Sequence, residues 1–226
     1  MTTLLRVGPR FEYSLARSIS GPRFEGSNAD QLPRDQASVA ELDDTVFVRM
    51  RNCSWRDHPA CPAREALRYL RISHHNFDGS VGQGELIVAA AIATPTVTLF
   101  ARLWRLGFPI ASMRLVDDFA GSDDASMAAN NSSAFNFRTV AGTDILSMHA
   151  VGMAIDINPV QNPWIRQPHP IAPPAGLGFS QRSDLRPGMI VRPGPVVAAF
   201  DELGWEWGGD WRHASDYHHI VWRGRA

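Results

Sequence analysis

The chain has 226 residues, of which 44% are hydrophobic, and a formal net charge of -1 at pH 7. This size predicts one domain with a sizeable core and extensions, in which a monomer is favoured. The near-neutral charge argues against binding to nucleic acid or to a membrane surface, because both need a basic face. All 22 Lys+Arg residues are arginines, which excludes chemistry that uses a lysine nucleophile.

The first part of the chain, residues 1–45, is polar and has no sustained hydrophobic period. We expect an irregular N-terminal extension here, followed by a domain over residues 46–226. The first residues contain no apolar run of the roughly 7 to 15 residues that a secretory signal needs, and no later run is long enough to span a bilayer.

The only two cysteines, Cys53 and Cys61, are too close together and too isolated for a structural zinc site. They form either a disulfide that closes a small loop or two free thiols, and the choice depends on the compartment. After Pro62 the segment A-R-E-A-L-R-Y-L predicts a helix over residues 63–70.

Regular patterns begin at Gly84. The segment G-E-L-I-V-A-A-A-I predicts a buried strand, and T-P-T-V-T-L-F-A-R-L-W-R-L-G predicts a helix that ends before Gly107. The alternation in F-P-I-A-S-M-R-L-V-D-D predicts a strand that ends at Asp117 and Asp118. These two carboxylates are either a catalytic pair or the end and cap of their elements.

A short helix over residues 125–131 and a strand over residues 133–140 are expected next. The order of elements predicts an α+β domain with a small, mainly antiparallel sheet flanked by helices. The segment R-P-G-P-V-V-A-A-F-D-E-L-G is expected to form a further helix that ends at Gly204.

The segment S-M-H-A-V-G-M-A-I-D-I-N-P places His149 and Asp156 seven residues apart, with small residues between them. This spacing fits two metal ligands, although a capping or salt-bridged pair is the alternative. The later segment R-H-A-S-D-Y-H-H-I-V-W offers His219 as a third ligand at the start of a strand. Asp216 can lie beside the metal without binding it and accept a proton from water.

The pattern S-x-H-x-x-G-x-A-x-D followed by D-x-x-H resembles the zinc D-alanyl-D-alanine carboxypeptidase and L-alanyl-D-glutamate endopeptidase family. The resemblance implies that His149, Asp156 and His219 bind Zn²⁺ and that Asp216 is the general base. It also implies an upstream arginine that stabilises the oxyanion, for which Arg138 is the candidate. The alternative for Arg138 is a surface ion pair.

The resemblance further implies a hedgehog/DD-peptidase-like fold and hydrolysis of peptidoglycan stem peptides in the cell wall, outside the cytoplasm. A different class of function is a non-catalytic, zinc-stabilised wall-binding module. In that module His213 or His218 would be a fourth ligand that closes the site.

The two halves of the motif are separated by an insertion rich in proline and glycine, at about residues 158–195. Loops of this length inside a domain often act as lids or binding loops. Trp164, Arg166 and His169 are candidates to line a cleft, where an arginine can bind a substrate carboxylate.

Overall fold

The computed structural model describes residues 36–51, 53–166, 168 and 170–224. The described residues contain both helices and small antiparallel sheets, in agreement with the predicted α+β class. The strands are β1 (Ala37–Ala40), β2 (Leu67–His75), β3 (Val81–Ala89), β4 (Ala154–Asp156), β5 (Trp164–Ile165), β6 (Trp205–Trp207), β7 (Ser215–Asp216) and β8 (His219–Trp222). The α-helices are α1 (Asp44–Met50), α2 (Ala93–Arg105), α3 (Asp123–Ala128) and α4 (Pro195–Leu203). Short 3-10 helices cover Arg64–Ala66, Ala90–Ile92, Val116–Phe119, Met148–Val151, Pro174–Phe179 and Gly208–Asp210.

The strands form three antiparallel sheets, in the orders β1-β2-β3, β4-β8-β6 and β5-β7. One small sheet was predicted and the structure has three, although their antiparallel pairing is as expected. The second and third sheets carry Asp156, Asp216 and His219.

The first sheet is buried on both faces. Leu70 and Leu86 are direct cross-strand neighbours and belong to the main core. Leu67 and Ile87 point to the opposite face and belong to a smaller core with α1. The main core continues through α2 and α4 to the second sheet, where Ile155 and other apolar side chains are fully buried. The β4-β8-β6 sheet is thus fixed on one side by the core.

The helix predicted over residues 63–70 is wrong, because only Arg64–Ala66 are helical and Leu67 begins β2. Its apolar residues point to both faces of a doubly buried sheet, so they lack the alternation of a half-exposed strand. Their spacing then also fits a helical stripe, and a short apolar run of this kind does not distinguish the two.

Two predicted strands lack a regular ladder, and the first of them ends in the 3-10 helix Val116–Phe119. Residues 108–118 make isolated bridges at Pro109 and Met113, and residues 133–140 make them at Ser133 and Thr139. The helix predicted over residues 125–131 is α3, which begins two residues earlier, after the cap Ser122.

Asp117 and Asp118 lie inside the 3-10 helix Val116–Phe119, so the interpretation of them as a strand end and a helix cap was wrong, although their contacts are structural. Asp117 accepts hydrogen bonds from the backbone N–H and the hydroxyl of Ser54, both at 3.0 Å. Asp118 forms ion pairs with Arg49 and Arg114 at 3.1 and 3.0 Å. These partners give both carboxylates a structural role.

The end of the predicted N-terminal extension is part of the fold. Residues 37–40 form β1, whose register pairs Ala37 with Ile72. Residues 1–35 lie outside the described residues. Cys53 and Cys61 are free thiols, and burial raises the pKa of each. In the part of the chain that the structure describes, no helix has the length and apolar character needed to cross a bilayer.

Candidate metal centre

His149 is held by a short 3-10 helix, Met148–Val151. The Ser147 hydroxyl accepts a hydrogen bond from the His149 backbone N–H at 3.2 Å and caps this helix. Gly152 ends it with a φ of 70°, in the left-handed region, and its carbonyl accepts from the Ala89 N–H at 2.9 Å. A Cβ at position 152 would lie 2.6 Å from the Ala89 nitrogen, so glycine is required here both by conformation and by close approach.

Asp156 and His219 are direct cross-strand neighbours in the β4–β8 ladder. Side chains of directly opposite residues share one face of a sheet and lie close together. The strand register therefore places a carboxylate beside an imidazole, although the two residues are 63 positions apart in the chain.

Three donor atoms converge at this point. His149 Nε2 lies 3.1 Å from His219 Nδ1 and 3.1 Å from Asp156 Oδ2, and His219 Nδ1 lies 2.9 Å from Asp156 Oδ1. All three residues are buried. Among the described residues, these three form the group of His, Cys, Asp and Glu side chains whose donor atoms lie within 4.8 Å of one another.

The donor set fits a zinc ion in both chemistry and spacing. Bonds of about 2.0 to 2.1 Å in a tetrahedral site separate the ligand atoms by roughly 3.3 Å. His149 Nδ1 lies 2.5 Å from the carbonyl oxygen of Ala134, which can only accept, so Nδ1 carries the proton. In the neutral ring, His149 Nε2 is then the nitrogen that presents a lone pair to a metal, as a metal-binding histidine requires, whereas in the protonated ring it donates to Asp156.

The electrostatics favour an ionised Asp156. Burial would raise the pKa of this carboxyl, but the charges of His149 and His218 and the hydrogen bonds from His149 and His219 hold it well below its ordinary value. A carboxylate that stays ionised in a buried place is suited to bind a cation.

Asp216 lies on β7 and is connected to the metal-ligand candidates through His218. The His218 Nε2 atom is 3.0 Å from Asp216 Oδ1 and 4.0 Å from Asp156 Oδ1. The Asp216 side chain is 14% exposed, against 3% for Asp156, although its Oδ1 atom is buried. A partly exposed carboxylate beside buried ligands suits a group that exchanges protons with water.

His218 is positioned by the insertion. Its Nδ1 lies 2.8 Å from the carbonyl oxygen of Asn162, and its Nε2 faces the Asp216 carboxylate. Because both partners only accept, both ring nitrogens carry protons. Burial lowers the pKa of His218, but the charges of Asp216 and Asp156 and the hydrogen bonds to Asp216 and Asn162 outweigh it and raise the pKa to about 10. A ring held in this way has no lone pair for a metal.

The contacts of Arg138 are those of an ion pair, which was the alternative to an oxyanion-stabilising role. Its guanidinium forms an ion pair with Asp123 at 2.8 Å and donates to the Thr139 carbonyl at 3.3 Å. The segment around it does reach the site, because Ser133 exchanges two backbone hydrogen bonds with Asp156. The role of Arg138 at an oxyanion stays a prediction.

The insertion also packs against the Asp216 strand. Trp164 of β5 is paired directly with Asp216 of β7, and the Arg166 guanidinium lies 4.5 Å from the centre of the Trp164 ring. The third predicted cleft residue, His169, lies outside the described residues. The centre of the Trp211 ring lies 5.4 Å from that of His219, so a tryptophan also packs against one of the candidate ligands.

The sequence interpretation missed what the insertion does for His218. Asn162 supplies the carbonyl for His218, and the Arg182 guanidinium binds the Asn162 side chain at 3.0 Å and stacks on Tyr217 at 4.3 Å. One signal was available. His218 and His219 are neighbours on opposite faces, so the ring that does not face the metal needs other polar partners.

The comparison with protein families agrees with this geometry. Residues 141–222 match the family model described as D-alanyl-D-alanine carboxypeptidase. The match supports the M15 peptidase family. The matched segment contains His149, Asp156, Asp216 and His219, whereas Arg138 precedes it. No curated protein and no solved structure matches the chain. A peptidase family implies a peptide substrate.

Proposed function

We propose that this protein is a zinc-dependent peptidase with a hedgehog/DD-peptidase-like fold that hydrolyses amide bonds in peptidoglycan stem peptides. The observation that carries the proposal is the convergence of His149, Asp156 and His219, with the partly exposed Asp216 connected to them through His218. The family match over residues 141–222 supports the peptidase class. The bond cleaved is of the D-Ala-D-Ala or the L-Ala-D-Glu type.

The roles follow from the chemistry of each group. His149, Asp156 and His219 would hold the ion, and bound zinc supplies Lewis acidity toward the scissile carbonyl and toward water. Asp216 accepts a proton from the attacking water and delivers it to the nitrogen of the leaving amine. Arg138 is proposed to stabilise the oxyanion, for which its guanidinium would have to exchange Asp123 for the substrate.

The geometry favours an enzyme over a wall-binding module. A structural zinc site is closed by a fourth protein ligand, whereas a catalytic site keeps one position for water or substrate. His218, one of the two candidates for a fourth ligand, is turned toward Asp216 and Asn162. His213, the other candidate, is exposed and is not in the converging group of described residues.

The test combines zinc analysis with hydrolysis of wall fragments of defined stem-peptide composition, with the products identified by mass. We expect Asp216→Ala to retain zinc and to lose at least about a hundredfold in activity. His219→Ala should lose both zinc and activity. A wild-type protein that holds zinc but cleaves no wall peptide would contradict the proposal and favour the binding module. The product masses identify the bond.

A further inference from the structure

We propose that Arg166, stacked on Trp164, binds the C-terminal carboxylate of the substrate beside Asp216. The family model that the chain matches is described as a carboxypeptidase, and Arg166 would be the residue that recognises the substrate carboxylate in this chain. This inference rests on the proposed function and assigns a residue to the recognition of its substrate.

Strand pairing places the two side chains of this site on the face that carries Asp216. Trp164 exchanges both backbone hydrogen bonds with Ala172, at 2.7 and 3.0 Å, so it meets Asp216 as a non-hydrogen-bonded pair. Side chains approach more closely in pairs of this kind. Arg166 lies just past the end of β5, and its guanidinium is 4.5 Å from the centre of the Trp164 ring, so it lies on the side of the Trp164 side chain.

The charge of Arg166 is not neutralised within the described part of the chain. No carboxylate of those residues pairs with it, and its Nε is buried without a hydrogen-bond partner. Arg192 pairs with Asp201 and Asp210, and Arg223 pairs with Glu206. Arg182 has no acidic partner among the described residues and shares the buried, unpartnered Nε, but its other donors are taken by oxygen atoms of this chain. A buried N–H without an acceptor is unfavourable, so the free guanidinium of Arg166 is suited to an anionic ligand.

A carboxylate is the ligand that this arrangement recognises best. The guanidinium presents a planar fork of donors that matches the two oxygens of a carboxylate, and stacking on an indole holds that plane in place. Arg182, also stacked on an aromatic ring, differs because its donors bind the carbonyl oxygens of Gln161, Phe179 and Ile190 and the side chain of Asn162.

The position beside Asp216 selects which carboxylate is bound. Asp216 delivers a proton to the leaving amine, so its neighbours contact the residue on the leaving side of the scissile bond. In the last residue of a peptide, the carboxylate is one carbon away from that nitrogen. Water adds to the carbonyl carbon, the C–N bond breaks, and the free amino acid leaves with the proton from Asp216.

The test measures binding separately from turnover. An N-acetylated peptide ending in D-Ala-D-Ala is titrated, as the free acid and as the C-terminal amide, into zinc-loaded Asp216→Asn protein by calorimetry. We expect the acid to bind at least about tenfold more tightly than the amide, as for a charge-assisted pair. Adding Arg166→Gln to this protein should remove the preference, because it should weaken the binding of the acid but not the binding of the amide.

Arg212→Gln is the matched control, because Arg212 is an exposed arginine in the segment just before β7. It removes the same charge and should preserve the preference for the acid. Equal affinity of the acid and the amide, no binding of either peptide, or loss of the preference in Arg212→Gln instead of Arg166→Gln would overturn the proposal.

Hydrolysis by the wild-type protein distinguishes this inference from the proposed function. If the protein binds the acid selectively but cleaves neither peptide, the result would support the carboxylate site and contradict the proposed peptidase function. Equal binding with equal cleavage of the acid and the amide would keep the peptidase and contradict the role of Arg166.

Discussion

His218 Nε2 lies 3.0 Å from Asp216 Oδ1, while Nδ1 of the same ring lies 2.8 Å from the carbonyl oxygen of Asn162. The proposed general base is thus held by a buried imidazole that is itself held by the insertion. Asp216 belongs to a strand of two residues, so its side chain depends on this contact for its direction.

Removal of the His218 ring should lower kcat and leave zinc content unchanged. A small displacement of a catalytic group costs up to about a hundredfold in rate, so we expect His218→Ala to lose ten- to a hundredfold in kcat with little change in KM. His218→Gln retains a donor and should recover part of the loss. His213→Ala, an exposed histidine in the same segment, is the control and should stay within about twofold of wild type. An unchanged kcat in His218→Ala would contradict the positioning role.

The stability of the metal-free protein should depend on pH through His218. Its pKa is raised from 6.5 to about 10 in the folded protein, so the protonated ring stabilises the fold fully below pH 6.5. This contribution is lost as the pH rises from 6.5 through 10. Urea unfolding across this range should show a falling free energy of unfolding. The decrease should be absent from His218→Gln, and parallel curves for the two proteins would count against the protonated ring.

Zinc should stabilise the fold through His149, Asp156 and His219. An ion at a hundred times its dissociation constant adds about 2.7 kcal/mol to the free energy of unfolding, provided that it binds only the folded state. For a chain of this length, removal by a chelator should lower Tm by about 5 to 10 °C. Asp156→Asn should abolish the difference between the chelated and the loaded protein, whereas Asp216→Asn should retain it. A Tm that does not respond to zinc would argue against these ligands.

A side chain at position 152 should destabilise the segment that carries His149. An alanine in the left-handed region costs roughly 1 to 2 kcal/mol, and the contact of its Cβ with the Ala89 nitrogen adds to this, so we expect Gly152→Ala to lose about 3 kcal/mol or more. Gly142 has a φ of 78°, but no atom lies within 4 Å of the place that a Cβ would take there, so Gly142→Ala measures the backbone cost alone. If Gly152→Ala and Gly142→Ala lose the same free energy of unfolding in chemical denaturation, the close approach to Ala89 is unimportant.

The convergence of the motif could be predicted because it depends on local spacing and strand register. His149 and Asp156 are separated by one 3-10 turn and one short strand, and His219 begins a strand that must pair with an available edge. The sequence also predicted α2, α4 and most of β3, whose apolar patterns or end signals are clear.

The rest depended on contacts between distant residues. The apolar residues of β2 serve two cores at once, so their spacing imitated a helix. Arg138 was expected to face the site, but whether an arginine pairs with a substrate or with Asp123 depends on where α3 lies. The pairing of Trp164 with Asp216 could not be read from the insertion, because a strand of two residues has no detectable period.

The attachment of the insertion to His218 has a consequence for protein engineering. Asn162 and Arg182 belong to the segment that an engineer would exchange to alter substrate preference, yet both hold the chain next to Asp216. A transplanted loop would therefore redirect the base as well as reshape the cleft. Chimeras should keep Asn162, Arg182 and the paired residues Trp164 and Ala172, and vary only the residues between Ala172 and Arg182.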